Sequence, residues 1–195
     1  LPGQASAARA PEASAPPPSE PRAPARAAPA RTAPRPAAPE PRAEPRPGFA
    51  AAPPDAAELA ARTIARNAKT LDDLEAALRG FDGCGLKATA KNLCFYRGAP
   101  RARLMIIGEA PGREEDLEGR PFVGRAGQLL DKMLAAIGLK EADVHIPNVV
   151  YWRPPGNRTP TPQESQVCRP FLDRQVELVE PDIVLLLGGA AAKQV

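Results

Sequence analysis

Leu104-Met105-Ile106-Ile107-Gly108-Glu109-Ala110-Pro111-Gly112 is the stretch from which the architecture can be read. Four apolar residues without polar alternation describe a strand covered on both faces, and Gly108 ends it. Downstream, Leu129, Leu130, Met133, Leu134 and Ile137 recur at helical spacing over residues 126–137, and Gly138 stops that helix. Residues 144–151 form a second apolar strand, interrupted by Pro147. Thr161-Pro162-Gln163-Glu164 then combines an N-cap, a proline at the first helical position and a capping-box glutamate. That helix runs to Val179 and Pro181 stops it; residues 182–187 are a third apolar strand, and Gly188-Gly189-Ala190 opens another helix. Upstream lie two helices, residues 55–69 with Leu59, Ile64 and alanines on one side, and residues 71–80 with Leu71, Leu74 and Leu78 behind Thr70 as N-cap. Strands alternating with helices predict an α/β fold, a three-layer sandwich around a central parallel sheet. The last helix reaches Val195 after barely two turns, so the chain reads as C-terminally truncated.

Composition separates a tail from this domain. Of the 195 residues 26 are proline, and residues 1–54 hold 16 of them with 18 alanines and a single aromatic, Phe49. Such a stretch buries too little to offset the entropy of ordering, so it reads as a disordered Ala/Pro/Arg-rich spacer or docking arm ahead of a domain at 55–195. The net charge of +3 resides in that tail, which carries seven arginines and four glutamates; residues 55–195 are neutral overall. A basic nucleic-acid-binding face is therefore not signalled by charge. The longest apolar run, residues 183–192, is half of what a membrane span needs, which excludes a membrane class. Three cysteines without a signal sequence argue against a disulfide scaffold and for the reducing cytoplasm.

Ligands of open α/β sheets bind beyond the carboxyl ends of the strands, here in loops 108–124 and 152–161 and at the glycines after Leu187. Gly108 and Gly112 flank Ala110-Pro111 and let backbone approach a ligand. Phe122, between Pro121 and Gly124, reads as a stacking platform for a planar ligand or as an anchor packing the loop down. Asn148 carries donors and an acceptor suited to a base edge or to a structural network. Arg153 and Arg158 suit phosphates or simple solvation, and Glu114, Glu115 and Asp116 read as a solvated face or helix-start acids. The only histidine, His145, alternates with Val144 and Ile146 and reads as structural, so no hydrolase triad assembles.

Read together, Gly108-Glu109-Ala110-Pro111-Gly112 with Glu115-Asp116, the segment Gly119-Arg120-Pro121-Phe122-Val123-Gly124-Arg125-Ala126-Gly127, and residues 148–158 closely resemble the family 4 uracil-DNA glycosylases. The resemblance runs from about Leu71 to Val195. It implies hydrolysis of the N-glycosidic bond of deoxyuridine in DNA, on a base flipped from the duplex or taken from a single strand. By the same resemblance Phe122 stacks on uracil, and Asn148 bonds its O4 and N3–H edge and rejects cytosine. Gly108, Ala110, Pro111 and Gly112 wall the water and sugar. Glu109 and Asn157 are both candidates to position the attacking water, and Arg153 and Arg158 to contact DNA. The partner is uracil-containing DNA and the protein a monomer; no partner is assigned to the tail. The family's His-Pro-Ser segment would lie beyond Val195, so the resemblance implies activity for the full-length protein, while weak binding and poor or no turnover are expected of a fragment ending there. A covalently binding relative carries Gln where Ala110 stands and a longer basic loop, so this chain departs from it.

The family also implies a 4Fe–4S cluster on four cysteines. Cys84 and Cys168 match two of these, while Phe81 and Trp152 stand at the other two and Cys94 lies at a different spacing. Two thiolates do not hold a four-iron cluster, so no cofactor or metal is expected, with Phe81 and Trp152 filling its place. The competing readings are a non-catalytic nucleic-acid or protein-interaction module on the same fold, and a nucleotide-binding protein. The latter lacks both phosphate-loop patterns.

Overall fold

The computed structural model describes residues 54–195. The tail expected over 1–54 falls outside them except for Pro54, which opens α1 (Pro54–Asn67). There follow α2 (Leu71–Gly80), β1 (Arg97–Gly98), β2 (Leu104–Ile107), α3 (Arg113–Glu118), α4 (Arg125–Ala136), β3 (Val144–Ile146), α5 (Pro162–Val179), β4 (Ile183–Leu186) and α6 (Gly189–Gln194). The sheet order is β1-β3-β2-β4. Strands β3, β2 and β4 are parallel, as the βαβ alternation demands, but β1 pairs antiparallel with β3 and makes the sheet mixed. A two-residue strand has no periodicity to read, so β1 left no trace in the pattern.

Residues of β2 alternate between two layers. Met105 and Ile107 join the cluster formed with α1, α2 and α5, while Ile106 packs with Leu130, Leu134, Val144 and Ile146 beneath α4. Local signals set the helix starts. Thr70 Oγ1 accepts from the Asp73 N–H at 3.1 Å and Asp73 returns a bond from the Thr70 N–H; Thr161 and Glu164 do the same ahead of α5.

Two apolar stripes are used differently from the expectation. On α1 the buried face is Ala57, Ala61 and Ala65, continued by Ala68 just past its end, and Leu59 is exposed. Small side chains at four-residue spacing let α1 lie close against α5, with which it makes its main contact. On α4 only Gly127, Leu130 and Leu134 are buried, and Leu129, Met133 and Ile137 face outward. Strand β3 also ends at Ile146 instead of 151, because Pro147 has no N–H for the ladder. Pairing resumes only as a single bridge between Gly108 and Asn148. Residues 113–118, expected as loop, form α3.

His145 is fully buried and stacks on Tyr96 with ring centroids 4.3 Å apart. The Tyr151 hydroxyl donates to Gln175 Oε1 at 2.8 Å, the Gln175 amide donates to His145 Nε2 at 2.9 Å, and His145 Nδ1–H donates to the Ala99 carbonyl at 2.7 Å. This directional chain requires a neutral ring and gives His145 the structural role its alternation suggested. Burial pushes its pKa down to about 4, against a smaller upward pull from the Ala99 carbonyl. The unfolded chain takes up this proton near the ordinary value of 6.5, so stability is complete above that pH and falls as pH drops toward 4. Urea titrations are expected to show folding weaker by about 2 kcal/mol near pH 5 than near pH 7. An unchanged unfolding midpoint across that interval would contradict the assignment.

Candidate active site

The carboxyl ends of β2 and β3 are knitted into one platform. Gly108 N–H donates to the Pro147 carbonyl at 3.0 Å, and Val149 N–H donates to Gly108 O at 2.9 Å. On this platform the three residues that the sequence motifs single out converge. A Cβ built on Gly108 would stand 2.4 Å from Phe122 Cζ and 2.5 Å from Asn148 Oδ1. Only glycine lets the aromatic ring and the amide sit against the same backbone point.

Phe122 is held there by its backbone. Its φ is +56°, a left-handed conformation unusual for an aromatic residue. The start of α4 closes over it: a Cβ on Gly127 would lie 1.6 Å from the Phe122 carbonyl oxygen. Asn148 is 1% exposed, yet its Nδ2 has no hydrogen-bond partner among the described residues. A buried amide donor left unpaired costs free energy that folding alone does not recover, and such an atom points to a bound acceptor.

Glu115 fastens the first loop. Its carboxylate accepts from Gly112 N–H at 3.0 Å and from Gly124 N–H at 2.8 Å, joining the two ends of the segment that carries Phe122. Asp116, expected at a solvated helix start, is 3% exposed and accepts from the Lys91 and Asn92 N–H groups. These acids thus shape the loop from within, and only Glu114 of the three is exposed. Glu115→Ala leaves two part-buried donors unpaired and is expected to cost about 2 kcal/mol, read as a lower urea midpoint. Glu115→Gln, which keeps an acceptor oxygen, should lose less.

Glu109 is half-buried beside the platform and lies close to Val149, Thr159, Pro160, Ser165, Ala190 and Gln194, with no space between them for a water, so the three expected loops do meet. Ser165 was not anticipated; its Oγ is buried without a partner among the described residues, and a serine inside a helix carries no distinguishing signal. Ala110 is half-buried, Pro111 buried and Gly112 half-buried along the same loop.

The second loop is arranged differently. Asn157 is exposed with φ +56°, and its Oδ1 accepts from Arg153 Nε at 2.6 Å. Arg158 makes a two-pronged pair with Glu164 at 2.8 and 2.6 Å, which draws that carboxyl below its ordinary range. Asn157, Arg153 and Arg158 therefore engage one another or the start of α5, and Phe122 and Asn148 are not among their hydrogen-bond partners.

Away from the platform, Cys84, Cys168, Phe81 and Trp152 lie in one buried cluster. Cys84 and Cys168 place their sulfurs 3.9 Å apart. Phe81 packs on Phe171 with centroids 5.1 Å apart, and Trp152 stands edge-on to Tyr151. Two thiols and two carbon rings do not supply the four ligands of an iron–sulfur cluster, so these residues do not fit that group. Among the described residues no group of three or more His, Cys, Asp or Glu could hold a metal, and no helix is long and apolar enough to cross a membrane.

Comparison with known proteins bears on the same residues. The model of the uracil DNA glycosylase superfamily matches residues 95–195, more than half of the chain. The type-4 uracil-DNA glycosylase of Archaeoglobus fulgidus is 46% identical over 125 residues, 64% of this chain and 63% of the relative. That of Thermotoga maritima is 47% identical over 108 residues, 55% and 56% of the two chains. That of Sulfurisphaera tokodaii is 50% identical over 113 residues, 57% and 51%. The chain thus spans between about half and two thirds of the length of these curated relatives. A matching model that begins just before β1 and takes in both loops of the platform leaves one assignment: the chain belongs to the uracil DNA glycosylase superfamily.

Proposed function

We propose that the protein is a uracil-DNA glycosylase, a hydrolase that cleaves the N-glycosidic bond of deoxyuridine in DNA and starts base excision repair. The observation that carries this reading is the buried, unpaired Nδ2 of Asn148 beside the ring of Phe122. Uracil offers an acceptor at O4 and a donor at N3, which complement the two ends of an asparagine amide. Cytosine presents a donor and an acceptor at those places, so its edge would leave both amide atoms opposed. Phe122 would stack on the extruded base, and the backbone of Gly108, Ala110, Pro111 and Gly112 would wall the sugar side.

Hydrolysis breaks the C1′–N1 bond, places negative charge on the departing uracil and adds water at C1′. The Asn148 amide stabilises the charge that develops at O4, and this preorganised donor is the main lever. Glu109, next to Gly108 on the platform, is assigned the attacking water; Asn157, whose Oδ1 is occupied by Arg153 Nε, is the alternative candidate for that role. Arg153 and Arg158 are assigned to the DNA backbone. Monomeric action on uracil-containing DNA in the cytoplasm completes the reading, with no iron–sulfur cluster; stoichiometric iron with absorbance near about 400 nm would reverse that last point.

The test incubates the full-length protein, shown to be folded, with a single-uracil oligonucleotide and then cleaves abasic sites with alkali. Strand cleavage above background is expected. Its absence with protein of intact fold would favour the non-catalytic interaction module instead.

A further inference from the structure

The place where the family resemblance puts a cluster holds a different chemical unit. Cys84 follows α2 in a loop, between Gly83 and Gly85, and Cys168 sits in the middle of α5. Their sulfurs are 3.9 Å apart, in van der Waals contact and oriented as a thiol–thiol hydrogen bond. The third cysteine, Cys94, is equally buried, but its thiol donates to the Glu115 carbonyl. The three cysteines thus divide into one facing pair and one isolated thiol.

We propose that Cys84 and Cys168 are a redox modification site, which a small peroxide closes into an intrachain disulfide joining the loop after α2 to α5. The sulfurs must approach by about 2 Å to reach a bond of about 2.05 Å. The loop side supplies the movement. Gly85 is exposed, and a Cβ there would meet nothing within 4 Å. The far side is firm, because Cys168 sits inside the 18-residue helix α5; Lys87 Nζ ties only the start of the loop, to the Phe81 carbonyl at 3.1 Å and the Asp82 carboxylate at 2.6 Å. Phe81 and Trp152 exclude bulk water and large oxidants, which is why a peroxide is the co-reactant.

The chemistry balances in two steps. The Cys84 sulfur attacks one peroxide oxygen, the O–O bond breaks, and a sulfenic acid forms with release of water. The Cys168 sulfur then attacks the Cys84 sulfur, the S–O bond breaks, and the displaced hydroxide takes the Cys168 proton as a second water. Two electrons pass from the thiols to the peroxide. The product spans 84 residues of chain, so it strongly restricts the unfolded state. It also anchors the helix whose first turn carries Ser165 close to Glu109.

The experiment uses the whole chain, reduced, desalted and then exposed to hydrogen peroxide, with thiols counted in denaturant. The count is expected to fall from three to one, with a loss of two hydrogens in intact mass and a peptide linking Cys84 to Cys168. Tm should rise by roughly 10 °C and return on adding dithiothreitol. Cys94→Ser should lose both remaining thiols in the same way. Three persistent thiols, a link involving Cys94, or iron bound to Cys84 and Cys168 in the freshly purified protein would each overturn the proposal. None of these readouts depends on glycosylase activity, so a failure here is separable from a failure of the functional reading.

Discussion

Asn148→Ala is expected to lower kcat/KM for uracil release by about 100-fold or more while leaving the protein at least as stable as before. The two halves of that expectation have one cause. Asn148 Nδ2 is buried and unpaired among the described residues, so removing it forfeits no hydrogen bond to them on that atom and relieves a desolvated donor. The same atom is the donor proposed to meet the charge on the departing base. An amide that served the fold would behave in the opposite way, with stability lost and activity following only through unfolding. Thermal melts beside single-turnover cleavage of a uracil oligonucleotide distinguish the two. A variant that melts several degrees lower, or that keeps full activity, would remove Asn148 from the site.

Gly127→Ala should damage the site from outside it. The new methyl would lie 1.6 Å from the Phe122 carbonyl oxygen and 2.2 Å from its carbon. Both atoms are backbone of Phe122, a left-handed residue, and Gly127 is itself fixed in the first turn of α4, so nothing can turn aside as a side chain would. The loop must move, and the Phe122 ring leaves Gly108. A cost of several kcal/mol in urea titrations and the loss of most uracil release are expected. Gly85→Ala is the matched control, since a Cβ there is free of contacts and the substitution should be nearly silent in both assays. Equal behaviour of the two variants would show that the Gly127–Phe122 contact does not hold the platform.

Signals carried by neighbours in sequence were the readable ones. The capping boxes of Thr70 with Asp73 and Thr161 with Glu164, the apolar run of β2 and the role of His145 beside Val144 and Ile146 all rest on residues within a few positions of each other. Features made by distant residues were not readable. Antiparallel β1 exists because Arg97 and Gly98 meet Ile146 and His145. The burial of Asp116 depends on the N–H groups of Lys91 and Asn92, 24 to 25 residues away. Leu59 was expected on one side with Ile64 and the alanines, whereas α5 selects the face of α1 that lets the helices approach most closely, and that face is alanine without Leu59.

The site divides along the same line. Its inventory could be listed from motif and spacing: Gly108, Glu109, Phe122 and Asn148 all belong to the loops at the carboxyl ends of strands, where an α/β chain places its ligand. Which of them share a point in space could not. A hydrogen bond or a van der Waals contact acts over a few ångströms, and only closure of β2 against β3 brings Phe122 and Asn148 to one glycine. Packing of α2 against α5 likewise brings Cys84 against Cys168, 84 positions apart in the chain. Composition and local pattern were enough for the α/β class and the loops that matter; proximity across the sheet made those loops one platform.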